Sequence, residues 1–316
     1  MGIKGLTQLV KKNSPESISH IGLYKMKDKH IAIDTSIFLY KSLMNVRSKG
    51  DYLRNSEGKV VSHIQGLYYK TNQLLTFGIT PIYIFDGKPP VEKSDCIKER
   101  NKKANECKEK MENTENLEEK KALEKGTIRI KKEYIDDLKH MFGLMGVSYI
   151  HADGEAEAYA SELCRLGFVD GVMTEDMDTL SYGCPQLFRT CIDKSIKRPD
   201  IVTVFNFEKI LEDFKMNHDE FIDMCILCGC DYCPTIPKVG PVRAMKYIQD
   251  EKIIIPEEFK NKYIASRGLF KVFDGKIDLE NLPISVSKYD PDGIYKYLVN
   301  SCNMNVKRVQ NSLQKF

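Results

Sequence analysis

The sequence predicts an α/β fold with three layers, in which helices cover a mostly parallel central sheet. Four short runs have strand character, and they lie at residues 30–36, 81–87, 147–152 and 168–178. These runs are apolar continuously rather than alternately, which is typical of strands that a parallel sheet buries on both faces. Segments with helical periodicity separate them, and this alternation is typical of strand–helix–strand units with right-handed crossovers.

The composition is that of a globular protein. The chain has 316 residues, of which 42% are hydrophobic, and this is enough for one large domain or two small ones. No apolar run reaches the roughly 18 residues that a membrane-spanning helix needs, so we expect an intracellular protein. The net charge of +3 hardly favours a polyanion as partner. Whether the protein binds a polyanion therefore depends on how its charges are distributed.

Helical periodicity is clearest in the first quarter of the chain. Helices are expected at residues 5–12, 36–47 and 61–78. Residues 88–132 then break the pattern with fourteen Lys or Arg, ten Asp or Glu and no aromatic residue. Such a segment is either a charged helical hairpin that stands off the core or a disordered loop.

Around Asp231 the sequence predicts a helix-like stretch that ends near this residue, then a hairpin turn and a second helix. Gly240 can close the turn. Pro241 suits the first position of the following helix, because the fixed φ and the missing N–H of proline are tolerated there. The remainder of the chain is expected to be mainly helical.

Acidic residues follow three of the four strand-like runs. Asp34 ends the first run, Asp86 ends the second, and Asp176 and Asp178 end the fourth. Because the carboxyl ends of the strands in an open α/β sheet face one crevice, we expect these carboxylates to converge.

Three further acids complete a set of seven. The third strand-like run leads into a helix that Asp153 or Gly154 can cap, with Glu155 and Glu157 in its first turn, where the helix dipole favours anions. Asp231 follows a helix-like stretch. Ligands that are all oxygen favour magnesium or manganese over zinc, and two such ions can promote in-line hydrolysis of a phosphodiester.

Two basic residues near the start of the charged segment are candidates for binding a phosphate. Lys93 and Arg100 are seven residues apart and would share one face of a helix, two turns apart. From that face they could reach a phosphate held at the acids. A solvated charged face is the other interpretation of this spacing.

Four cysteines form a compact pattern that raises the alternative of a zinc site. They are Cys225, Cys228, Cys230 and Cys233, spaced C-x2-C-x-C-x2-C. The first two lie in a helix-like run, whereas structural zinc sites usually draw their ligand pairs from separate turns. We therefore favour reduced thiols over zinc at this cluster.

Six motifs resemble, in their order and spacing, the flap endonucleases of the XPG-type nuclease superfamily. They are MGIKGL at the start of the chain, AIDTS around Asp34, FDGKPP around Asp86, GEAEA at Glu155 and Glu157, TEDMD at Asp176 and Asp178, and DYC at Asp231. The resemblance extends from residue 1 to about residue 308, and the combination of motifs is highly specific.

The resemblance implies a PIN- or Rossmann-like core in a single nuclease domain that covers residues 1–316. The implied subregions are an N-terminal nuclease region at 1–107, a helical gateway and cap at 88–132, an internal nuclease region at 146–233, a helix-two-turn-helix element at 219–250 and a C-terminal helical segment at 283–316. The implied activity is that of a 5′ flap endonuclease and 5′–3′ exonuclease in DNA replication and repair, in the nucleus if the source is eukaryotic.

The resemblance also assigns roles to individual residues. One magnesium ion would be held by Asp34, Asp86, Glu155 and Glu157, and a second by Asp176, Asp178 and Asp231. Lys93 and Arg100 would steer the scissile phosphate, and a base would stack on Tyr40. The residues expected to contact DNA are Gly2, Tyr40, Arg47, Lys70, Lys93, Arg100, Glu155, Gly229, Asp231 and Gly240.

The resemblance implies a potassium site at the helix-two-turn-helix element. Thr235, Ile236 and Val239 would hold the ion against a phosphate of duplex DNA. The family usually has glycine just before the position of Val239, whereas this chain has Pro237 and Lys238. This departure weakens the expectation of potassium.

Family members commonly end in a box that binds a sliding clamp. Gln310, Leu313 and Phe316 fit that box, but the chain stops before its second aromatic residue. The same residues also fit the spacing of a terminal helix, so clamp binding is one of two interpretations. We expect a monomer whose partner is branched DNA.

Two rival functions stay open at this stage. A DNA-junction protein without catalysis would have lost acids, yet all seven are present. Related nucleases act on bubbles or four-way junctions or as plain 5′ exonucleases, and comparing cleavage of those substrates distinguishes them from a flap enzyme.

Overall fold

A computed structural model of the protein describes residues 2–48, 51–251, 255–271 and 277–314. Within these residues the helices are α1 (Leu6–Asn13), α2 (Thr35–Asn45), α3 (Ser62–Thr76), α4 (Ser94–Asn113), α5 (Leu117–Thr127), α6 (Lys132–Met145), α7 (Ala156–Arg165), α8 (Asp178–Ser181), α9 (Phe207–Phe214), α10 (His218–Cys228), α11 (Pro241–Gln249), α12 (Glu257–Lys271), α13 (Pro291–Lys296) and α14 (Val306–Leu313).

The strands of the described residues are short. They are β1 (Ile18–Gly22), β2 (His30–Asp34), β3 (Arg47–Ser48), β4 (Asp51–Tyr52), β5 (Thr80–Phe85), β6 (Ser148–His151), β7 (Gly171–Met173), β8 (Gln186–Thr190), β9 (Ile201–Asn206) and β10 (Ile284–Ser285). Single turns of 3₁₀ helix lie at Pro15–Ser17, Leu23–Met26 and Val91–Lys93, and a π-helical turn lies at Tyr297–Ser301.

The chain forms two compact units, and each is built from three separate segments. The first unit consists of residues 1–34, 86–96 and 152–282. The second unit consists of residues 35–85, 97–151 and 283–316.

The first unit contains a mixed sheet. β2 pairs with β7 and β7 pairs with β8, both in parallel, while β9 pairs antiparallel with β8 and with β1. The register Ile33↔Met173 places the ends of β2 and β7 side by side. Because both strands run in the same direction, the residues after their carboxyl ends lie at one edge of this sheet.

The hydrophobic core of the first unit lies around α1, α9, α10 and α11. Leu6, Phe205, Phe214 and Phe221 are fully buried in it. The N-terminus of α10 carries a capping box, in which the Asn217 side chain accepts from the backbone of the third helical residue and that residue's side chain accepts in return. This helix therefore begins at a position that its own sequence defines.

In the second unit β5 and β6 pair in parallel, and β10 pairs antiparallel with β6. Tyr83 of β5 stacks on Phe142 of α6 with ring centroids 4.1 Å apart. The Tyr83 hydroxyl also lies 2.7 Å from the hydroxyl of Thr71 in α3. These contacts bury one face of the strands beneath α3 and α6.

The predicted α/β class is confirmed. β2, β6 and β7 lie within their predicted runs, and β5 begins one residue before its run. The sequence reasoning did not predict β1, β8 and β9, which extend the sheet of the first unit. β1 is half-exposed and β8 carries Gln186, Arg189 and Thr190, so neither forms the continuous apolar run that indicates a buried strand.

The charged segment forms helices rather than a disordered loop. It contains α4 and α5, and the chain doubles back between them. A Cβ added to Gly126 would lie 2.7 Å from Cys107 Sγ, and Arg129 donates to the carbonyl oxygen of Arg100 at 3.0 Å. These contacts bring the two helices together as the predicted hairpin.

The predicted helix, turn and helix after residue 218 are α10, residues 229–240 and α11. Pro241 is the first residue of α11 and Gly240 is its N-cap, as the sequence predicts. The C-terminal part is also mainly helical, with α13 and α14 in its described residues.

Candidate active site

Asp34 closes β2, and Thr174 follows the adjacent strand β7. The Thr174 hydroxyl donates to Asp34 Oδ2 at 2.9 Å, and Asp34 is only 2% exposed. The same hydroxyl accepts from the backbone N–H of Asp176 at 3.2 Å. Thr174 therefore fixes acids that follow two neighbouring strands, although the sequence analysis did not single it out.

Asp86 is held against the start of α7. Its Oδ1 accepts from the N–H of Ala156 at 3.0 Å, and the N–H of Gly87 donates to the Gly154 carbonyl at 2.8 Å. A Cβ at Gly87 would lie only 2.1 Å from the Ala152 carbonyl oxygen. Glycine is therefore required for this close approach of the two loops.

Glu155 is the N-cap residue of α7, and its side chain makes no capping hydrogen bond. The prediction that Asp153 or Gly154 caps this helix is wrong. The physical reason is that Asp86 satisfies the first N–H of the helix, which a local cap would otherwise do. The Glu155 carboxylate is consequently available to the site, and Glu157 follows in the first turn.

Asp176 and Asp178 are arranged around the start of α8. The N–H of Asp178 donates to Asp176 Oδ1 at 3.2 Å, and the Thr179 hydroxyl donates to the Asp176 carbonyl at 3.1 Å. Asp178 is 8% exposed, and its Oδ1 is buried without a hydrogen-bond partner among the described residues. A buried acceptor without a donor is costly unless a cation neutralises it.

Lys93 lies among the acids. Its ammonium donates to the Glu155 carboxylate and is 3.5 Å from Asp231 Oδ2. Asp231 Oδ1 also accepts from the thiol of Cys96 at 3.5 Å. Lys93 thus lies beside Glu155 and Asp231, and its role toward a phosphate stays a prediction. Cys96 is a further neighbour that no sequence pattern indicated.

Two tyrosines lie behind Asp178 and Asp231. Their hydroxyls, those of Tyr182 and Tyr232, are hydrogen-bonded to each other and buried. Both rings also contact Phe270, with centroids 5.0 and 5.5 Å away. Since Tyr232 directly follows Asp231 and Tyr182 follows α8, this pair ties together the segments that carry the two acids.

Electrostatic repulsion connects the carboxylates into one group. Burial raises the pKa of Glu157 well above its ordinary value, and repulsion from Asp34, Asp86 and Asp176 raises it further. Burial also raises the pKa of Glu155, against the lowering effect of the nearby lysine. These acids are therefore close enough to oppose each other's ionisation.

The same repulsion acts on the other half of the set. Burial raises the pKa of Asp178, and Asp176 and Asp231 raise it further. Burial disfavours the charged form of Lys93, but the surrounding carboxylates, Glu155 foremost, outweigh it and raise the lysine pKa. The lysine is thus a cation that balances part of an excess of negative charge.

The donor set fits hard divalent cations. All seven candidate ligands are carboxylates, and a cation would relieve both their repulsion and the unpartnered Asp178 oxygen. Across the described part of the chain, no three Asp, Glu, His or Cys side chains are already arranged as a closed metal cage. The role of the seven acids as metal ligands stays a prediction.

Gly2 lies directly against the acids. An added Cβ would lie 1.7 Å from Asp176 Oδ1 and 2.6 Å from Asp178 Oδ1. The backbone of Gly2 also has a φ of +84°, which favours glycine. Gly2 therefore lies beside the acids, and its predicted contact with DNA stays a prediction.

The turn between α10 and α11 contains the other predicted glycines. Gly229 has a φ of +96°, and a Cβ there would lie 2.4 Å from Thr235 Oγ1. Gly240 caps α11 without a side-chain hydrogen bond. Ile236 and Val239 are buried, and the Val239 N–H donates to the Ile236 carbonyl at 3.0 Å.

Tyr40 and Arg47 belong to the second unit and contact α5. The Tyr40 hydroxyl donates to the Lys125 carbonyl at 3.3 Å, and Arg47 pairs with Glu124 at 2.7 Å. The Arg47 guanidinium also lies 4.4 Å from the centre of the Tyr52 ring. Neither residue is in the unit that holds the seven acids, so their predicted contacts with DNA stay predictions.

Lys70 and Arg100 are also in the second unit. The Lys70 ammonium lies 5.8 Å from the centre of the Phe38 ring. Arg100 lies in α4, and its carbonyl accepts from Arg129. Their predicted roles toward DNA likewise stay predictions.

The four clustered cysteines are packed as core residues. Cys225 and Cys228 lie in α10, and the Cys230 N–H donates to the Cys233 carbonyl at 2.9 Å. Burial raises the pKa of the Cys228 and Cys230 thiols to about 12 and also raises the pKa of Cys225 and Cys233. These contacts account for the four cysteines as core residues, so they give the zinc alternative no support.

The residues of the candidate clamp box lie at the end of the chain. Gln310 is exposed and Leu313 is half-buried on α14. Phe316 lies outside the described residues.

Two family models match the chain. The XPG N-terminal domain matches residues 1–107, and the XPG I-region matches residues 146–231. These ranges contain every one of the seven acids. The fold and the matched ranges thus identify an XPG-type nuclease.

Curated relatives and solved structures narrow this class. Flap endonuclease 1 of Glycine max is 38% identical, over 100% of this chain and 86% of that protein. Flap endonuclease 1 of Debaryomyces hansenii is 36% identical, over 100% of this chain and 88% of that protein. The structure of flap endonuclease-1 from Methanococcus jannaschii is similar with a TM-score of 0.73, at 29% identity over 94% of each chain. The catalytic core of Rad2 in complex with DNA substrate has the same fold, with a TM-score of 0.74 at 20% identity over 99% of each chain.

The chain belongs to the flap endonuclease 1 family. It is a structure-specific DNA nuclease that cuts flaps, and nucleases of this family depend on metal ions. Among the described residues, no helix has both the length and the apolar surface that crossing a membrane requires.

Proposed function

We propose that this flap endonuclease hydrolyses one phosphodiester near the junction of single- and double-stranded DNA, with two magnesium ions, and that it also acts as a 5′–3′ exonuclease. The supporting observation is the group of seven mutually repelling carboxylates around Lys93 in the first unit. Manganese has the same preference for oxygen ligands and can replace magnesium.

The proposed ligands fall into two sets. Asp34, Asp86, Glu155 and Glu157 would hold the first ion, and Asp176, Asp178 and Asp231 would hold the second. Bound ions of this kind activate a water molecule and neutralise the charge that develops on the attacking and leaving oxygens.

The chain's own contribution begins with positioning. The Thr174 hydroxyl holds Asp34 in place, and the Ala156 N–H holds Asp86. The buried pair of Tyr182 and Tyr232 supports the other set from behind. Acids that are fixed in this way need little reorganisation when the substrate binds.

Lys93 contributes a second positive charge to the proposed reaction. Because the neighbouring carboxylates raise its pKa, it remains an ammonium at neutral pH. An entering phosphate can take the hydrogen bond that Glu155 now accepts, and the ammonium then stabilises negative charge on the phosphate oxygens. We propose that Arg100 assists from α4.

The proposed substrate is branched DNA with a 5′ flap, bound by a monomer. A nuclear location is proposed if the source is eukaryotic. Binding of a sliding clamp through Gln310, Leu313 and Phe316 stays a prediction, as does a potassium ion at Thr235, Ile236 and Val239.

Single-turnover cleavage of a double-flap substrate tests this function, with magnesium and with chelator. We expect Asp176→Ala to lower the cleavage rate at least about 100-fold, because a ligand to a catalytic ion is lost. Asp153→Ala removes a nearby exposed acid and is expected to retain the rate. Cleavage by folded Asp176→Ala at the normal rate, or cleavage that persists in chelator, would exclude the proposal, and bubble and four-way-junction substrates test its specificity.

A further inference from the structure

The segment at residues 2–5 runs from the acids to the turn between α10 and α11. The Lys4 N–H donates to the Gly229 carbonyl at 3.1 Å. Gly5 packs so closely on Pro241 that an added Cβ would lie 2.6 Å from its Cγ. The backbone on both sides of the Lys4 side chain is therefore fixed against this turn.

The Lys4 side chain reaches the residue expected to help hold potassium. Its ammonium donates to Thr235 Oγ1 at 2.8 Å. The Thr235 hydroxyl itself donates to the Cys228 carbonyl at 3.4 Å, so it donates one hydrogen bond and accepts the one from Lys4. A positive charge thus already lies at the turn.

The remaining groups of the turn fit an exchangeable potassium ion poorly. The Ile236 carbonyl accepts the turn hydrogen bond from Val239. Lys238, which stands where the family usually has glycine, adopts a φ of +65° and adds a second exposed cation. A potassium ion at Thr235 would lie within a few ångströms of the Lys4 ammonium, and the two like charges would repel each other.

We propose that the Lys4 ammonium takes the place of an exchangeable potassium ion at this turn and contacts a phosphate of duplex DNA. Lys4 is exposed, and α11 begins beside it with N–H groups that no side chain caps, a suitable setting for a phosphate. The inference rests on the proposed DNA-binding function. Its consequence is duplex binding that does not depend on which monovalent cation is present.

Fluorescence anisotropy with a plain DNA duplex in chelator measures this dependence without cleavage. The salts compared are potassium, sodium and tetramethylammonium chloride, each at 0.1 M. We expect the unaltered protein to bind with the same affinity, within twofold, in all three. Potassium-specific binding that is fivefold tighter than binding in sodium would overturn the proposal.

The variant Lys4→Gln tests the contribution of the Lys4 ammonium to duplex binding. Losing one phosphate contact at 0.1 M salt weakens binding about eightfold, from the slope of roughly 0.9 per neutralised phosphate. We expect that loss in sodium and tetramethylammonium, with partial recovery in potassium. Lys12→Gln removes an equal charge from the exposed side of α1, and it measures how much a change of net charge alone weakens binding.

Lys4→Arg keeps the charge and is expected to keep binding independent of the salt. If Lys4→Gln weakens binding no more than Lys12→Gln, the inference is wrong. Flap cleavage by the unaltered protein in magnesium is measured separately. Absence of cleavage with salt-independent, Lys4-dependent binding would reject the proposed function alone, whereas normal cleavage with potassium-dependent binding would reject this inference alone.

Discussion

Gly2 leaves almost no space between the start of the chain and the acids. The nearest carboxylate oxygen, on Asp176, would lie inside the van der Waals radius of any added Cβ. The side chain of another residue would have to displace either the segment at residues 2–5 or the acid itself.

We expect Gly2→Ala to lower the rate of flap cleavage by at least about tenfold, because a misplaced acid weakens positioning at the reacting centre. Single-turnover kinetics at saturating enzyme measures this effect. Gly167→Ala is the matched control, since Gly167 has a similar positive φ of +74° but no atom near the added Cβ. Equal rates for the two variants would show that backbone strain, rather than contact with Asp176, accounts for any loss.

The seven acids could be selected as candidate ligands from sequence, because Asp and Glu are recognisable as carboxylates at the ends of strand-like and helix-like runs. Thr174 and the pair of Tyr182 and Tyr232 could not, because a hydroxyl that orients an acid has the same sequence appearance as any buried hydroxyl. The cap of α7 was predicted wrongly for a related reason: its first N–H is satisfied by Asp86, which is 70 residues away in the chain.

Helix α5 forms polar contacts with two residues that are expected to contact DNA. Arg47 is paired with Glu124, and Tyr40 donates to the carbonyl of Lys125. Binding of a phosphate by Arg47 therefore competes with the ion pair that Arg47 forms with Glu124. The ion pair is mostly buried, so breaking it leaves a charge to be compensated.

We expect Glu124→Gln to raise the affinity for flap DNA about threefold, because Arg47 becomes available without first breaking an ion pair. Anisotropy in calcium, which allows binding without turnover, measures this change. Glu118→Gln alters the net charge of the same helix equally, at an exposed position. An equal gain in both variants would attribute the effect to net charge and not to release of Arg47.

The presence of helices in the charged segment was one of two interpretations of the sequence, and the structure supports it. The pattern of charges could not show that Arg47 would find Glu124, because ion pairs between distant segments depend on the tertiary fold. Strands β1 and β9 were missed for a similar reason, since their stability comes from pairing with a neighbour.

The pH dependence of folding is set partly by a buried group in the second unit. His63 is fully buried, and its Nε2 lies 3.2 Å from Asp137 Oδ2, while Asp137 Oδ1 pairs with the Lys59 ammonium. Burial lowers the pKa of His63, despite the raising effect of Asp137. Burial opposes ionisation of Asp137, but hydrogen bonds from His63 and Lys59 lower its pKa overall.

Both shifts predict that acid weakens the fold. Below the ordinary histidine pKa of about 6.5, the unfolded chain takes up a proton that buried His63 does not, so the free energy of unfolding falls by up to about 2 kcal/mol between pH 7 and 5. Urea unfolding at several pH values measures this loss. His63→Gln is expected to flatten the curve in that window, whereas exposed His140→Gln is not, and parallel curves for all three proteins would exclude His63 as the cause.

The division into two units could not be predicted from sequence. Residues 86–96 belong with the first unit although residues 35–85 before them and 97–151 after them belong to the second. A linear pattern of hydrophobicity shows strands and helices but not which distant segments pack together. The expectation of a single domain over residues 1–316 therefore stays a prediction.

The placement of Lys93 has a consequence for how the enzyme matures. An acid cluster without any internal cation would tie folding to the supply of ions, as in small metal-dependent domains that unfold under chelation. Here the ammonium hydrogen-bonded to Glu155 already offsets part of the charge. Lys93 thus lowers the repulsion among these acids that the chain must overcome when it folds before ions bind.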